Sequence, residues 1–84
     1  MTERRTIAVD MLYESTGTAK LAELDTYCRA ALCLAGHGNE ITLTGPGPIW
    51  LYLKLAHALH GKVRRLCYDS PVTGEVIIYD HSPD

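Results

Sequence analysis

Two histidines three positions apart, His57 and His60, are the first residues in this chain whose spacing could carry chemistry. Residues i and i+3 are neighbours on a helix surface. Such a pair can hold a divalent metal, or one imidazole can act as general acid or base near neutral pH. A His60 at a helix end, favoured by the C-terminal dipole, accounts for the same residue without chemistry. Asp69 stands between Tyr68 and Ser70-Pro71, and is either a catalytic carboxylate or a turn residue bonding its own backbone. Asp80-His81 adds a third imidazole near the end of the chain, where an exposed, frayed terminus is the plainer reading. The last candidate is the loop Gly45-Pro46-Gly47-Pro48. Following a strand and opening a helix, it offers free N–H groups and a helix dipole to an anion. It lacks the Gly-Lys-Ser/Thr of a phosphate-binding P-loop, so a tight turn explains it as well.

The elements that must position these residues follow from periodicity. Residues 5–13 alternate, with Ile7, Val9 and Met11 on one face, and predict a strand. Thr18 is a plausible N-cap for a helix over 19–35, whose apolar positions are Leu21, Leu24, Cys28, Ala31, Leu32 and Ala35, with Gly36 and Gly38 as the stop. Residues 41–44 form a β-branched strand. A second helix over 49–60 begins after Pro48 and ends at Gly61. It is apolar almost all round, except for a stripe at Trp50, Lys54 and His57, and must therefore be packed on more than one side. Residues 62–68 and 75–80 complete the set as strands joined by a turn over 69–74. The order β-α-β-α-β-β predicts an α/β fold, mostly parallel, with an antiparallel last strand.

That order also sets distances. The second helix runs antiparallel to the sheet, so His57 and His60 lie at the start of the third strand. Asp69 and the Gly45–Pro48 loop lie at the opposite pole, about 20 Å away by seven residues at ~3.3 Å each. The returning last strand brings Asp80 and His81 to the histidine pole. Within one protomer the two groups cannot meet on one ligand.

Composition bounds the rest. Eighty-four residues fill one core, so residues 1–84 are expected to be a single domain. Apolar residues at 46% and charged residues at 21% give a globular balance, with no run approaching a membrane span and no signal-peptide core. Cys28, Cys33 and Cys67 are odd in number and form no C-x-x-C pair, which argues against a disulfide framework or thiolate zinc site and for a reducing cytoplasm. A net charge of −2 excludes long, nonspecific polyanion binding, DNA included. It hides a segregation: residues 41–68 contain no acid but carry Lys54, Lys62, Arg64 and Arg65. That stretch is either a set of solvated charges or the lining of an anion site.

From Thr42 onward the sequence resembles a CRISPR-associated ring nuclease family, small accessory proteins of type III systems that cleave cyclic tetra-adenylate. The run Gly45-Pro46-Gly47-Pro48-Ile49-Trp50-Leu51-Tyr52 carries the resemblance, followed in order by His57, His60, Tyr68-Asp69 and His81-Ser82. The resemblance implies Asp69 and His60 as catalytic positions. It also implies a ligand surface of Gly45, Gly47, Pro48, Ile49, Trp50, His57 and Ser70, and a manganese ion on His57, His60 and His81. It further implies a homodimer, with dimers stacking to sandwich cyclic tetra-adenylate between opposite faces, in agreement with the two poles. Where the family tends to carry Asp-Pro-Arg-Leu-Gly, this chain has Asp69-Ser70-Pro71-Val72-Thr73-Gly74, leaving Arg64 or Arg65 to stand in for the arginine. The expected function is cleavage of the cyclic messenger to short linear adenylates, ending type III antiviral signalling. The rivals are a module that binds the ring without cutting it and a metal-dependent exonuclease that removes adenosines from RNA.

Overall fold

The pattern resolves into β1 (Arg4–Ala8), α1 (Leu24–Ala35), β2 (Glu40–Thr44), α2 (Ile49–Leu59), β3 (Arg65–Ser70) and β4 (Gly74–Asp80). The computed structural model describes residues 2–81, so Ser82 of the quoted resemblance lies outside the described residues. The sheet order is β1-β2-β3-β4, parallel across the first three strands and antiparallel at β4, which is the α/β architecture expected. The two helices pack against each other on one face of the sheet. One buried cluster joins them to it: Ile7, Val9, Ile41, Leu43 and Leu66 from below, Tyr27, Ala31, Ala35, Leu51, Leu55 and Leu59 from above.

Three elements differ from their expected form. β1 stops at Ala8, and Val9–Tyr13 turns as a 3₁₀ segment that leaves Met11 65% exposed. The ladder decides this: Ala8 pairs with Thr44, the last residue of β2, and beyond it Gly45 bends away at φ +93°, so residues 9–13 have no partner strand. The first helix begins not at residue 19 but at Leu24, after a 3₁₀ turn at Leu21–Glu23, and Thr18 caps nothing. Its innermost row is Tyr27, Ala31 and Ala35, and the Tyr27 hydroxyl accepts the Lys20 N–H at 3.0 Å. β3 starts at Arg65 and runs through Asp69 and Ser70, which leaves only residues 71–73 for the turn.

Alternation along the strands puts Arg4, Glu40, Arg65 and Asp80 in one row on the helix-free face. Their charges alternate across the four strands, with gaps of 3.7, 3.4 and 3.8 Å. Surface pairs of this kind fix register more than they add stability.

Asn39 ties three elements together. Its side chain donates to the Ala35 carbonyl at 2.9 Å and accepts the Glu3 N–H at 3.1 Å, while its own carbonyl accepts from Arg64 N–H at 2.9 Å. It is a buried polar residue, 6% exposed, between the end of α1 and the starts of β1 and β3. Asn39→Ala strips both side-chain partners and should lower the unfolding free energy by about 2 kcal/mol. Urea denaturation followed by circular dichroism checks this, and an unchanged midpoint would mean that the knot contributes nothing.

Candidate functional site

The loop between β2 and α2 is held from below by residues that precede and follow it. The Tyr52 hydroxyl donates to the Gly45 carbonyl, and the Tyr13 hydroxyl donates to the Pro46 carbonyl at 2.8 Å. Gly45 can be nothing else: at φ +93° a Cβ would stand 2.5 Å from Asp10 Oδ1. Gly47 passes so close to the 3₁₀ segment that a Cβ would lie 3.0 Å from Val9 Cγ1. Two pinned carbonyls, the fixed φ of Pro46 and Pro48, and the close approaches at Gly45 and Gly47 together hold the loop. Pro46 and Pro48 have no N–H. Leu51 and Tyr52 N–H already bond the Pro48 carbonyl. Among the described residues, Gly47, Ile49 and Trp50 are left with N–H groups that have no protein acceptor, at the positive end of an 11-residue helix.

Beside this loop, between α2 and the β3–β4 hairpin, lies an open cleft of about 700 Å³. Of the expected ligand residues, Gly45, Gly47 and Ile49 line it, as does the expected catalytic Asp69, together with Leu53, Tyr52, Tyr68 and Ile78. Pro48, Trp50, His57 and Ser70 do not. Trp50 is half-buried against the core, and Ser70 Oγ accepts the N–H groups of Val72 and Thr73 at 3.1 and 3.3 Å, closing the hairpin turn. Asp69 is the sole charged residue in the cleft lining, so the cations of the acid-free stretch do not converge there. Asp69 sits inside β3 directly opposite Glu75, at the rim, facing away from Tyr68, whose ring meets Tyr52 edge-on at 5.0 Å.

The opposite pole holds the imidazoles. His60 and His81 face each other with Nε2···Nε2 at 3.1 Å, both against the ring of Tyr79, at 5.1 and 4.9 Å between centroids. Burial pushes the Tyr79 phenol up, so that wall is neutral. One imidazole donates and the other accepts, which requires at least one to be uncharged. His57 does not join them, and the expected three-histidine metal set is not assembled. His60 keeps a helical φ of −62° and its N–H bonds the Ala56 and His57 carbonyls, but its ring pairs with His81 and not with His57. Among the described residues there is no cluster of three His, Cys, Asp or Glu able to hold a metal. Arg64, bonded to Thr2 Oγ1 at 2.8 Å, and Arg65, between Glu40 and Asp80, also lie at this pole and cannot reach Asp69 in their own protomer.

The poles are nearer than the sequence suggests, because Asp69 is in the strand and not beyond it. Asp80 pairs with Arg65, four residues from Asp69. That is roughly 13 Å at ~3.3 Å per residue, still too far for one phosphodiester to touch both.

Sequence reasoning passed over Tyr13, Tyr52 and Asp10. Tyr52 stood inside the motif run without a role, whereas nothing in the sequence signals that Asp10 abuts Gly45.

Residues 20–84 match the family model described as CRISPR-associated protein (Cas_csx3). No curated protein and no solved structure matches the chain. No helix among the described residues is long and apolar enough to cross a membrane.

Burial first, then Tyr68, Asp10 and Tyr13, pushes the Tyr52 phenol up from 10.0 to about 12. A folded-state value above the unfolded one means that this stabilisation is intact below pH 10 and is lost as pH rises through about 12. Urea midpoints measured between pH 8 and 12 should therefore fall more steeply for the wild type than for Tyr52→Phe. Parallel curves would show that the clamp does not titrate with this hydroxyl.

Proposed function

The chain belongs to this CRISPR-associated family, and on that premise we propose that it is a ring nuclease acting on cyclic tetra-adenylate in the cytoplasm. The observation that carries the reading is the division of the candidate chemistry between two poles of one protomer. A ring sandwiched between copies meets the loop and Asp69 of one molecule and the His60–His81 pair of the next. Electrostatics favours that order of stacking: Asp10, Asp69 and Glu75 stand at the loop pole, and Lys62 and Arg64 at the histidine pole. Stacking also brings Arg64 and Arg65 of one copy toward Asp69 of another, the one way in which they could replace the missing arginine.

In the proposed reaction a ribose 2′-oxygen attacks the neighbouring phosphorus, the bond from phosphorus to the 5′-oxygen breaks, and a 2′,3′-cyclic phosphate forms. The 2′-hydroxyl proton goes to a base and the departing 5′-oxygen gains one. His60 and Asp69 divide these two transfers. The N–H groups of Gly47, Ile49 and Trp50 stabilise the charge that grows on the phosphate oxygens. Among the described residues only His60 and His81, two imidazoles without a third ligand, could hold a manganese ion, which would supply positive charge there; the proton transfers above do not depend on it. Two copies form the unit that stacks, and cleavage removes the messenger and ends type III signalling.

One observation favours capture without cleavage: the cleft next to the loop contains no cation. Incubation with cyclic tetra-adenylate, with and without manganese, and mass spectrometry of the products separates the two. Linear dinucleotides are expected; an intact ring that co-elutes with the protein would move the assignment to a binding module, and an unbound, uncut ring would end both. Asp69→Ala and His60→Ala should each lose at least about 100-fold in rate, and mixing them should restore cleavage. A mixture that stays dead while stacking normally would remove the composite site.

A further inference from the structure

The hydrogen bond between His60 and His81 is exposed, and water competes for the same ring nitrogens. Both backbones are anchored: His60 N–H bonds the Ala56 and His57 carbonyls, and His81 N–H bonds the Arg64 carbonyl at 2.8 Å. Anchored backbones fix where the two side chains begin, not which rotamers they take. A third ring supplies that constraint. Tyr79 stands against both imidazoles, 5.1 Å from His60 and 4.9 Å from His81 between centroids, with interplanar angles of 75° and 44°. The imidazoles themselves meet edge-on at 4.9 Å. Edge-on and tilted contacts at this range are favoured between aromatic rings. Each of the three touches the other two, which blocks a change of rotamer while allowing small adjustments.

Tyr79 reaches this position through an irregularity in the sheet. Val76 lies opposite Tyr68 and Ile77 opposite Cys67. Strict alternation would then put Ile78 opposite Leu66 and turn Tyr79 to the helix-free face, opposite Arg65. Instead the register slips by one between Leu66 and Cys67: Tyr79 faces Leu66, Asp80 faces Arg65, and Ile78 is the extra residue. Leu66 is fully buried beneath the helices. Tyr79 is thereby delivered to the helix side, where α2 ends at His60. Ile78, in the lining of the cleft beside α2, is on that side as well. Two successive residues on one side mark a β-bulge, and re-aiming a side chain beside a reactive site is a recurrent use of such bulges.

The ring, not the hydroxyl, is the working part. Tyr79 Oη is buried and has no hydrogen-bond partner among the described residues. Burial also pushes the phenol up, so it has no proton to give near neutral pH. A buried atom of this kind offers nothing polar to a ligand. We propose that Tyr79 is a positioning residue, whose ring keeps His60 and His81 facing each other so that His60 is correctly turned for proton transfer. The proposal rests on the ring-nuclease reading for its effect on rate, and on the bulge and the ring contacts for its geometry. An unpartnered buried hydroxyl weakens the fold, so phenylalanine should serve the same role at no cost in stability.

Steady-state cleavage of cyclic tetra-adenylate by the full chain tests the assignment, with circular dichroism to confirm that each variant is folded. Tyr79→Phe keeps the aromatic ring and should hold kcat within about 2-fold of the wild type. Tyr79→Leu removes it and should lower kcat at least about 10-fold while KM changes by less than about 2-fold, because the reacting group is misplaced and the messenger still binds. A second readout needs no turnover. Nuclear Overhauser effects between the ring protons of His60 and His81 should be present in the wild type and Tyr79→Phe and absent in Tyr79→Leu. Should Tyr79→Leu fail to fold, Tyr79→Ile, a better strand former, takes its place. Full kcat with the imidazole contacts retained in the variant lacking the aromatic ring would overturn the proposal. So would a raised KM at unchanged kcat, or a Tyr79→Phe as slow as Tyr79→Leu. A wild type that leaves the messenger uncut, with imidazole contacts that still depend on the aromatic ring, removes the nuclease reading and keeps the positioning of the pair. A wild type that cuts it, with a kcat indifferent to Tyr79, does the reverse.

Discussion

The row Leu51, Leu55, Leu59 holds the two ends of this molecule apart and in line. All three are fully buried on the sheet, which fixes α2 both along its axis and in rotation. The loop that opens α2 and the histidine that caps it are therefore placed by one packing contact. Eleven residues at 1.5 Å each make the helix about 16 Å long, close to the reach of the antiparallel strand beside it. The distance between loop and imidazoles is thus a property of the helix and not of any flexible segment. A loss of packing at Leu55 would be felt at both poles at once.

Charge follows the same axis. In the sequence, the cations of residues 54–65 look like a single basic stretch. Folding distributes them: Lys54 stays on the helix near Cys28, while Lys62, Arg64 and Arg65 follow the chain to the strand starts. Arg65 is then absorbed between Glu40 and Asp80. The small net charge conceals a difference between two ends rather than an anion-binding groove. In the proposed stack, that polarity would set unlike ends against each other.

The fold was largely legible because its signals are local. β-Branched residues marked the strand over 41–44, an almost wholly apolar run between Pro48 and Gly61 marked a helix packed on more than one side, and the short turn before Glu75 required an antiparallel last strand. What was not legible depends on partners distant in sequence. Val9 and Met11 alternate like strand residues, yet β1 ends when its neighbour β2 runs out at Thr44. Asp69 reads as a turn residue, yet pairing with Glu75 keeps it in the sheet. At the site, the meeting of His60 and His81 follows from strand direction and could be deduced, whereas helical spacing alone does not reveal that His57 stays apart from them. Tyr13 and Tyr52 had no role in the sequence because the carbonyls they bind belong to a loop whose shape only the fold reveals.

The two poles differ in how firmly they are built, and this bears on how a ligand would be handled. The Gly45–Pro48 loop is pinned by two phenols, Asp10 and Val9, so its free N–H groups are oriented before anything binds. Preorganised donors need no rearrangement as charge develops, which is where such groups contribute most. The imidazole pair instead depends on ring contacts with each other and with Tyr79 and on one exposed hydrogen bond, near the end of β4. A nucleophile's proton is best taken by a group able to adjust by tenths of an ångström as the ribose approaches. A rigid anion cradle on one molecule and an adaptable imidazole pair on the next is a sensible division for a reaction whose phosphate must be fixed and whose protons must move.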